Sequence, residues 1–502
     1  MRHSILLLTC LCAAMSLCAQ VDSSAIRFAA TITEAELRTH LTVLASDAFM
    51  GRDTGKEGQK MAAAYLKKAF IDAGIPPVPA PFDSAVTDGY FQQYELIEDQ
   101  VGGIGIDQAG RIFAYKEDLL YFNEQLQTDL AVREVVYLGN GEKLPKVPLG
   151  GRVIVLDGTT MGDTPALMSR LSERMQDLRK ADAAVVLVGV PSVSAMANEV
   201  HLPASRVRLA SGSGKESTPP TTQMIVIDGA SMDELLGANS LAKLARKRAG
   251  KVVPVDFTIT ARPNTHPLVA ENVLAFIEGS DKKDELVVIT AHYDHIGVEN
   301  GVVYNGADDD GTGTVVIMEI AEAFAKAKAE GHGPRRSILV MPVSGEEKGL
   351  LGSRYYSDHP VFPLENTVAD LNIDMIGRVD TAHRNSAPYI YIIGSDRLSR
   401  ELHAINGQAN MLYAGLELDE AFNREDDPNR FYYRSDHYNF ARKGVPSIFY
   451  FSGVHEDYHQ PGDDIEKIQF DLLHQRALLV FHTAWILANR DQRIVVDKPP
   501  KP

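Results

Sequence analysis

Cysteine is nearly absent from this chain. Its 502 residues include only Cys10, Cys12 and Cys18, all near the N-terminus. That stretch reads as an export signal. Met1-Arg2-His3 gives a basic start, Ile5 to Leu17 a short apolar centre, and Ala19 a small residue for cleavage. Bulky Leu17 argues against lipid attachment at Cys18. With the signal peptide, residues 1–19, removed, the expected protein is periplasmic or extracellular and carries no thiol. Disulfide frameworks, thiolate metal sites and cysteine nucleophiles are thereby excluded. Long apolar runs are lacking too: the signal core is too short for a membrane span, and no later run reaches the roughly 20 residues one needs. Basic charge is in deficit, with 50 Lys and Arg against 67 Asp and Glu and a net charge of -17. Such a surface repels phosphate backbones and anionic headgroups, so no nucleic acid and no membrane partner is expected.

What is present is an ordinary globular composition, 45% hydrophobic and 23% charged, in a chain too long for one core. Thr33-Glu-Ala-Glu36 reads as a capping box, with Leu37, Leu41 and Leu44 following at helical spacing. A second helix is expected from Lys56 to Asp72, with Met61, Tyr65, Ala69 and Phe70 inward and Gly74 and Pro76-Pro77 as the stop. The texture then changes. Short β-rich runs at 135–138, 152–156, 183–188 and 224–227 surround one amphipathic helix near Ala166 to Leu178. Residues 108–262 are therefore expected as an inserted module. The main domain would comprise 21–107 and 263–492, and 493–502 a frayed tail. Beyond the module, apolar runs at Asn272–Ile277, Leu286–Ala291, Ser337–Val343, Val368–Ile373, Tyr389–Ile393 and Pro446–Phe451 read as buried strands. Helical patterns at Thr312–Ala327, Asp396–Gly407 and Phe470–Asn489 separate most of them. The expected fold is α/β, a mixed, mostly parallel central sheet with helices on both faces.

Four of these strands end in metal-ligand residue types. Leu286–Ala291 leads to His292 and Asp294, and Ser337–Val343 to Glu346 and Glu347. Val368–Ile373 leads to Asp374, and Pro446–Phe451 to His455-Glu-Asp-Tyr-His459. A further acidic cluster, Asp308-Asp309-Asp310, sits among glycines after the first. Ligands of open α/β sheets bind outside the carboxyl ends of strands, so parallel pairing would collect all these groups on one rim. His, Asp and Glu converging there are expected to hold a divalent metal.

These residues carry a family resemblance. Ala-His292-Tyr-Asp294, Gly-Ala-Asp-Asp309-Asp-Gly-Thr-Gly, Gly-Glu346-Glu347-Lys-Gly-Leu-Leu-Gly-Ser, Asn-Ile-Asp374-Met and Tyr-His459-Gln-Pro-Gly-Asp resemble, in order, the motifs of the co-catalytic dizinc aminopeptidase family. That family includes bacterial leucyl aminopeptidase, glutamate carboxypeptidase II and transferrin receptor relatives. Leu44-Ala-Ser-Asp-Ala-Phe-Met-Gly-Arg52 is similar to an N-terminal segment of bacterial members, and the inserted region resembles a protease-associated domain. The resemblance implies the zinc exopeptidase fold, two Zn2+ ions and peptide substrates. It implies that His292 and Asp374 share one zinc, Glu347 and His459 the other, and Asp309 bridges them. Glu346 would be the general base, and Asp294 would hydrogen-bond the second ring nitrogen of His292. A non-proline cis bond at Asp309–Asp310 is implied as well. Two neighbouring dications need a bridging carboxylate, and a ligating histidine needs an acceptor that fixes its tautomer, so the roles are physically coherent.

Other residues are expected in supporting places. Asp308 and Asp310 read as loop hydrogen-bonders, and His295 as a histidine with its hydrogen bonds satisfied beside the ligands. The context favours His459 over His455. Ser435-Asp436-His437 is no triad, because three consecutive residues cannot adopt triad geometry. Arg52 and Arg434 read equally well as substrate contacts or surface ion pairs. The Gly306 to Gly313 stretch lacks the Lys-Ser/Thr of a phosphate loop. The expected activity is removal of N-terminal residues from peptides. A carboxypeptidase or dipeptidase of the glutamate carboxypeptidase type, and a transferrin-receptor-like binding protein without catalysis, are the alternatives. Loss of ligands would mark the last, yet all five ligand positions and the base are filled.

Overall fold

The computed structural model describes residues 21–79, 86–122, 126, 128–200, 205–210, 222–262 and 264–499. The signal, all three cysteines and the end of the tail lie outside them. Two compact units emerge: Met1–Gln93 with Glu271–Pro502, and Tyr94–Ala270. The division falls outside the expected limits of 108 and 262, because strands Phe91–Gln100 and Asn264–Val273, not loops, carry the chain across it.

The second unit holds an eight-stranded mixed sheet. Its centre is parallel, from Leu130–Tyr137 through Val153–Asp157 and Val185–Val190 to Gln223–Asp228. The helix Thr164–Lys180 buries Leu167, Leu171, Met175 and Leu178 against one face.

The first unit is built on seven strands, which we label β1 (Ala275–Ile277), β2 (Lys282–His292), β3 (Arg336–Val343), β4 (Thr367–Ile373), β5 (Tyr389–Ile393), β6 (Glu417–Asp419) and β7 (Ser447–Phe451). Their order is β1-β3-β2-β4-β7-β5-β6. The central four, β3-β2-β4-β7, are mutually parallel. β1 runs antiparallel to β3 and β5 antiparallel to β7. The short β6 escapes pattern reading because Glu417–Asp419 is only three residues long and largely polar.

Alternation along β2 explains the two covered faces. Val287, Ile289 and Ala291 join a core with helices α1 (Glu34–Leu44), α2 (Glu57–Asp72), α3 (Gly313–Ala329) and α4 (Phe470–Asn489). Leu286 and Val288 face the opposite cluster with Tyr356 and Phe440. Each such buried Val, Leu or Ile contributes roughly 1.5–3 kcal/mol. Thr33 caps α1, accepting from Glu36 N at 3.2 Å. The inward face of α2 is shifted from the expected one. Gln59, Ala62, Ala63, Leu66 and Phe70 are buried, Tyr65 and Ala69 lie at the margin, and Met61 faces solvent.

One buried acid stands out where α1, α2 and α3 meet. His40 Nδ1 lies 2.7 Å from Tyr65 Oη, and its Nε2 3.5 Å from the carboxylate of Glu319. Burial, with Glu36 and Glu322 nearby, pushes Glu319 up to about 8. The folded state thus holds a proton that the unfolded chain releases near 4.5. Stability is lost as pH rises from there through the folded value. Glu319→Gln should therefore leave the thermal midpoint little changed near pH 5 and raise it near pH 9, where about 1–4 kcal/mol is at stake. Melting curves at the two pH values check this.

Candidate metal centre

Parallel pairing brings the four strand ends to one rim. β2 closes on His292, and His292 pairs with Val343 at the end of β3. β3 runs into Ser344-Gly345-Glu346-Glu347, where Gly345 takes φ 75°. β4 delivers Asp374, whose N–H donates to Tyr450 O of β7 at 3.1 Å. Past β7 the chain reaches His455 and His459. After β2 a small hairpin, Gly297–Glu299 with Val302–Tyr304, leads to the acidic loop that opens α3. The Asp309–Asp310 peptide in that loop is cis.

The side chains form two groups that share Asp309. In the first, His292 Nε2 lies 3.2 Å from Asp309 Oδ1 and 3.6 Å from Asp374 Oδ1. In the second, His459 Nε2 lies 3.1 Å from Asp309 Oδ2 and 3.3 Å from Glu347 Oε2. His295 Nδ1 approaches the same pair, 2.9 Å from Glu347 Oε1 and 3.9 Å from Asp309 Oδ2. Asp309 thus turns one oxygen to each group. Among the described residues, His292-Asp309-Asp374 and His295-Asp309-Glu347 are close enough for one cation each. The donor chemistry fits a divalent metal: imidazoles and carboxylates, without thiolate. So does their unmet bonding. Asp309 Oδ2, Glu347 Oε1 and both ring nitrogens of His295 are buried without a hydrogen bond.

Charge in this crowd is strongly perturbed. Burial alone would lower His292, but Asp309 and Asp374 raise it well above its ordinary value. Burial, then the repulsion of Glu347, Asp374 and Asp436, raises Glu346 well above the carboxylate range against the pull of His292. Burial and Asp309 push Glu347 upward, yet His295 and His459 hold it at about 2. Asp309 itself is drawn well down by His292 and His459 despite its burial.

Three sequence expectations are corrected here. Asp294 does not orient His292 through its carboxylate. His292 Nδ1 instead lies 3.0 Å from the Asp294 main-chain oxygen, with the nearer carboxylate oxygen at 3.8 Å. The carbonyl acceptor places a proton on Nδ1 and turns Nε2 toward the carboxylates. The Asp294 carboxylate is already engaged, accepting from Thr54 Oγ1 at 2.6 Å and from Glu346 N at 3.2 Å. Arg52 is neither at the surface nor a substrate contact. It is 1% exposed and donates to Leu44 O, Tyr293 O, Asn305 O and Gly306 O at 2.6–2.8 Å. Its approach needs Met50, Gly51 and Arg52 all at positive φ, and a Cβ on Gly51 would meet Gly297 O and Tyr304 O at 2.4 Å. His295 is not a hydrogen-bonded bystander, as its two unpaired ring nitrogens show.

The remaining groups brace the loop. Asp308 accepts from Gly377 N at 2.6 Å, and its other oxygen lies 3.2 Å from His455 Nε2. Asp310 accepts from Gly313 N at 2.9 Å and Met375 N at 3.0 Å. Ser435 Oγ donates to Asp374 Oδ2 at 2.7 Å, and Asp436 accepts from Ser353. Asp463 was visible only as the last residue of the His459 motif. Its carboxylate accepts from the N–H groups of Asp308 and Asp309 at 3.0–3.1 Å. Arg434 stands at the exposed edge, donating to Tyr458 Oη at 3.2 Å over the Phe431 ring.

Comparison with known proteins agrees with this architecture. Residues 272–484 match the model of Peptidase family M28. A probable zinc metalloprotease of Pyrenophora tritici-repentis is 30% identical over 261 residues, 44% of this chain and 52% of the relative. Leucine aminopeptidase 1 of Penicillium rubens is 29% identical over 244 residues, 46% of this chain and 60% of the relative. The chain thus spans about half the length of the relatives it matches. The aminopeptidase from Aneurinibacillus sp. strain AM-1 superposes with a TM-score of 0.56 over 95% of this chain and 100% of that one. At 18% identity that likeness is one of fold.

Arg52 makes a direct prediction. Hydrogen bonds to charged groups contribute about 1.5–3 kcal/mol each. Arg52→Met should lower the thermal midpoint of the first unit by about 5–10 °C. It should also weaken metal retention during dialysis, because the carbonyls it holds flank His292 and Asp309. An unchanged midpoint with full retention would remove the bracing role.

Proposed function

We propose that the protein is a zinc-dependent aminopeptidase that removes N-terminal residues from peptides. The observation that supports this best is the paired ligand set sharing Asp309, with Glu346 beside it in one pocket. Met375, Phe431, Phe449, Phe451 and Val454 form the apolar part of that pocket, and Asp309, Glu346, Asp374, Arg434, Tyr458 and His459 the polar part. Bound zinc would supply Lewis acidity, enough to polarise a scissile carbonyl and to lower the pKa of the attacking water. His292, Asp374, Glu347 and His459 would hold two zinc ions, with Asp309 between. The Glu346 carboxylate would take the water's proton and deliver it to the departing amine. Asp294 positions that base through the Glu346 N–H. The carboxylates in the pocket suit the free α-amino group of a peptide N-terminus. The side chain of the first residue would then lie against Phe449 and Phe451. A zinc requirement accords with the Pyrenophora relative's being a probable zinc metalloprotease, and N-terminal cleavage with the Penicillium relative's being a leucine aminopeptidase.

Turnover of aminoacyl-p-nitroanilides by purified protein tests the proposal. Chelator treatment should abolish activity, and added zinc should restore it. Glu346→Gln should cut kcat by about 10²–10⁴-fold with metal content unchanged. Chelator-resistant turnover would refute the metal mechanism, and full activity in Glu346→Gln would refute the base.

The pocket wall makes a second expectation. An apolar first residue should be preferred over Lys or Glu, by about 10–200-fold in kcat/KM. Comparing leucyl, lysyl and glutamyl substrates measures this, and equal rates would exclude the aromatic wall as the specificity determinant.

A further inference from the structure

The second ligand group contains one imidazole more than the sequence motifs assign. His295 is 0% exposed, and neither of its ring nitrogens has a hydrogen-bond partner. Its Nδ1 lies 2.9 Å from Glu347 Oε1, and neither atom has a hydrogen bond that meets ordinary geometry. Two atoms that bind one cation stand in this relation. With zinc–nitrogen and zinc–oxygen bonds near 2.0–2.2 Å, neighbouring donors sit about 2.9–3.4 Å apart without bonding to each other. The other donors of this group show comparable spacing: His459 Nε2 is 3.1 Å from Asp309 Oδ2 and 3.3 Å from Glu347 Oε2.

The backbone fixes the ring in that place. His295 N donates to Arg52 O at 3.3 Å. Gly306, at φ 54°, lies against the imidazole, where a Cβ would meet His295 Cγ at 2.4 Å and Asp309 O at 2.3 Å. Any side chain at position 306 would push the ring off its place.

We infer that His295 Nδ1 is an additional metal ligand, so that the half-site of Asp309, Glu347 and His459 holds its ion through two imidazoles. This rests on the dinuclear reading above. The consequence is asymmetry. The His292 half-site has one nitrogen donor and the His295 half-site has two. Nitrogen-rich sites favour zinc, cobalt or copper over manganese or magnesium, so the His295 half-site should be the more selective for zinc.

Zinc titration of metal-free full-length protein against a chromophoric chelator tests the inference, with wild type, His295→Ala and His295→Asn. Asparagine keeps a hydrogen-bond donor near the Nδ1 position but is a poor zinc ligand. The expected result is loss of at least tenfold in affinity for one of two ions in both variants, with the other ion unaffected. Recovery of wild-type affinity in His295→Asn would overturn ligation in favour of a hydrogen bond to Glu347. Unchanged affinity in His295→Ala would overturn any role at the metal. Zinc-edge EXAFS of the wild type needs no variant: three imidazoles over two ions support the inference, and two overturn it. If wild type binds no zinc, the dinuclear reading itself fails. If it binds two and the variants do as well, this inference alone fails.

Discussion

The arrangement depends on keeping buried negative charge in place. Asp294, Asp308, Asp309, Asp310, Asp374 and Asp436 are all buried around one sheet rim, with Glu346 and Glu347 beside them. Charge so desolvated is costly unless each oxygen finds a donor or a cation. Most of these carboxylates find donors. Asp308 and Asp310 accept backbone N–H groups of 377, 313 and 375, and Asp294 accepts Thr54 and the Glu346 amide. Gly313 leaves room for the Asp310 carboxylate, which a Cβ would meet at 2.4 Å. Asp308, Asp309, Asp310, Asp436 and Glu347 each also keep one buried oxygen without a hydrogen bond, and those of Asp309 and Glu347 face imidazoles. The division of labour among adjacent aspartates is thus a matter of who has spare N–H groups nearby.

Much of the scaffold could be read from alternation alone. The central strands are continuous apolar runs, which is what a sheet covered on both faces requires. Their boundaries on sequence and in space differ by one residue, except that β2 begins four residues early, at Lys282. Parallel pairing then turns four separate motifs into one rim without further assumption. The roles of Arg52 and Asp463 were not legible. Both act on main-chain atoms, and a carbonyl or amide carries no residue identity for a motif to capture. The Asp294 assignment misled for the same reason: its backbone oxygen, not its side chain, reaches His292. The α2 face slipped because Met61 and Ala62 are both apolar, so periodicity alone does not decide which points inward.

His295 shows a different limit. Its neighbours His292 and Asp294 carry the stronger motif signal, and a histidine three residues past a ligand is ordinarily a hydrogen-bonded companion. What marks it is a pair of unbonded ring nitrogens set beside Glu347 and Asp309, which only coordinates can reveal. The glycine that admits its ring stands eleven positions later, at Gly306, across a hairpin.

The family match begins at residue 272, yet the physical centre does not. Leu44, Gly51, Arg52 and Thr54 lie far upstream. Gly51, Arg52 and Thr54 supply a close backbone approach, a guanidinium and a hydroxyl to the loop that carries His292 through Asp309, and the Leu44 carbonyl accepts from Arg52. Arg52 ties Tyr293 to Asn305 and Gly306, closing the hairpin at its base. Thr54 reaches the Glu346 amide through one carboxylate, that of Asp294. The segment before the second unit is therefore part of the metal site's support, although it donates no ligand. Its unusual run of left-handed residues at 50–52 has a clear purpose: it aims one buried arginine at four main-chain carbonyls.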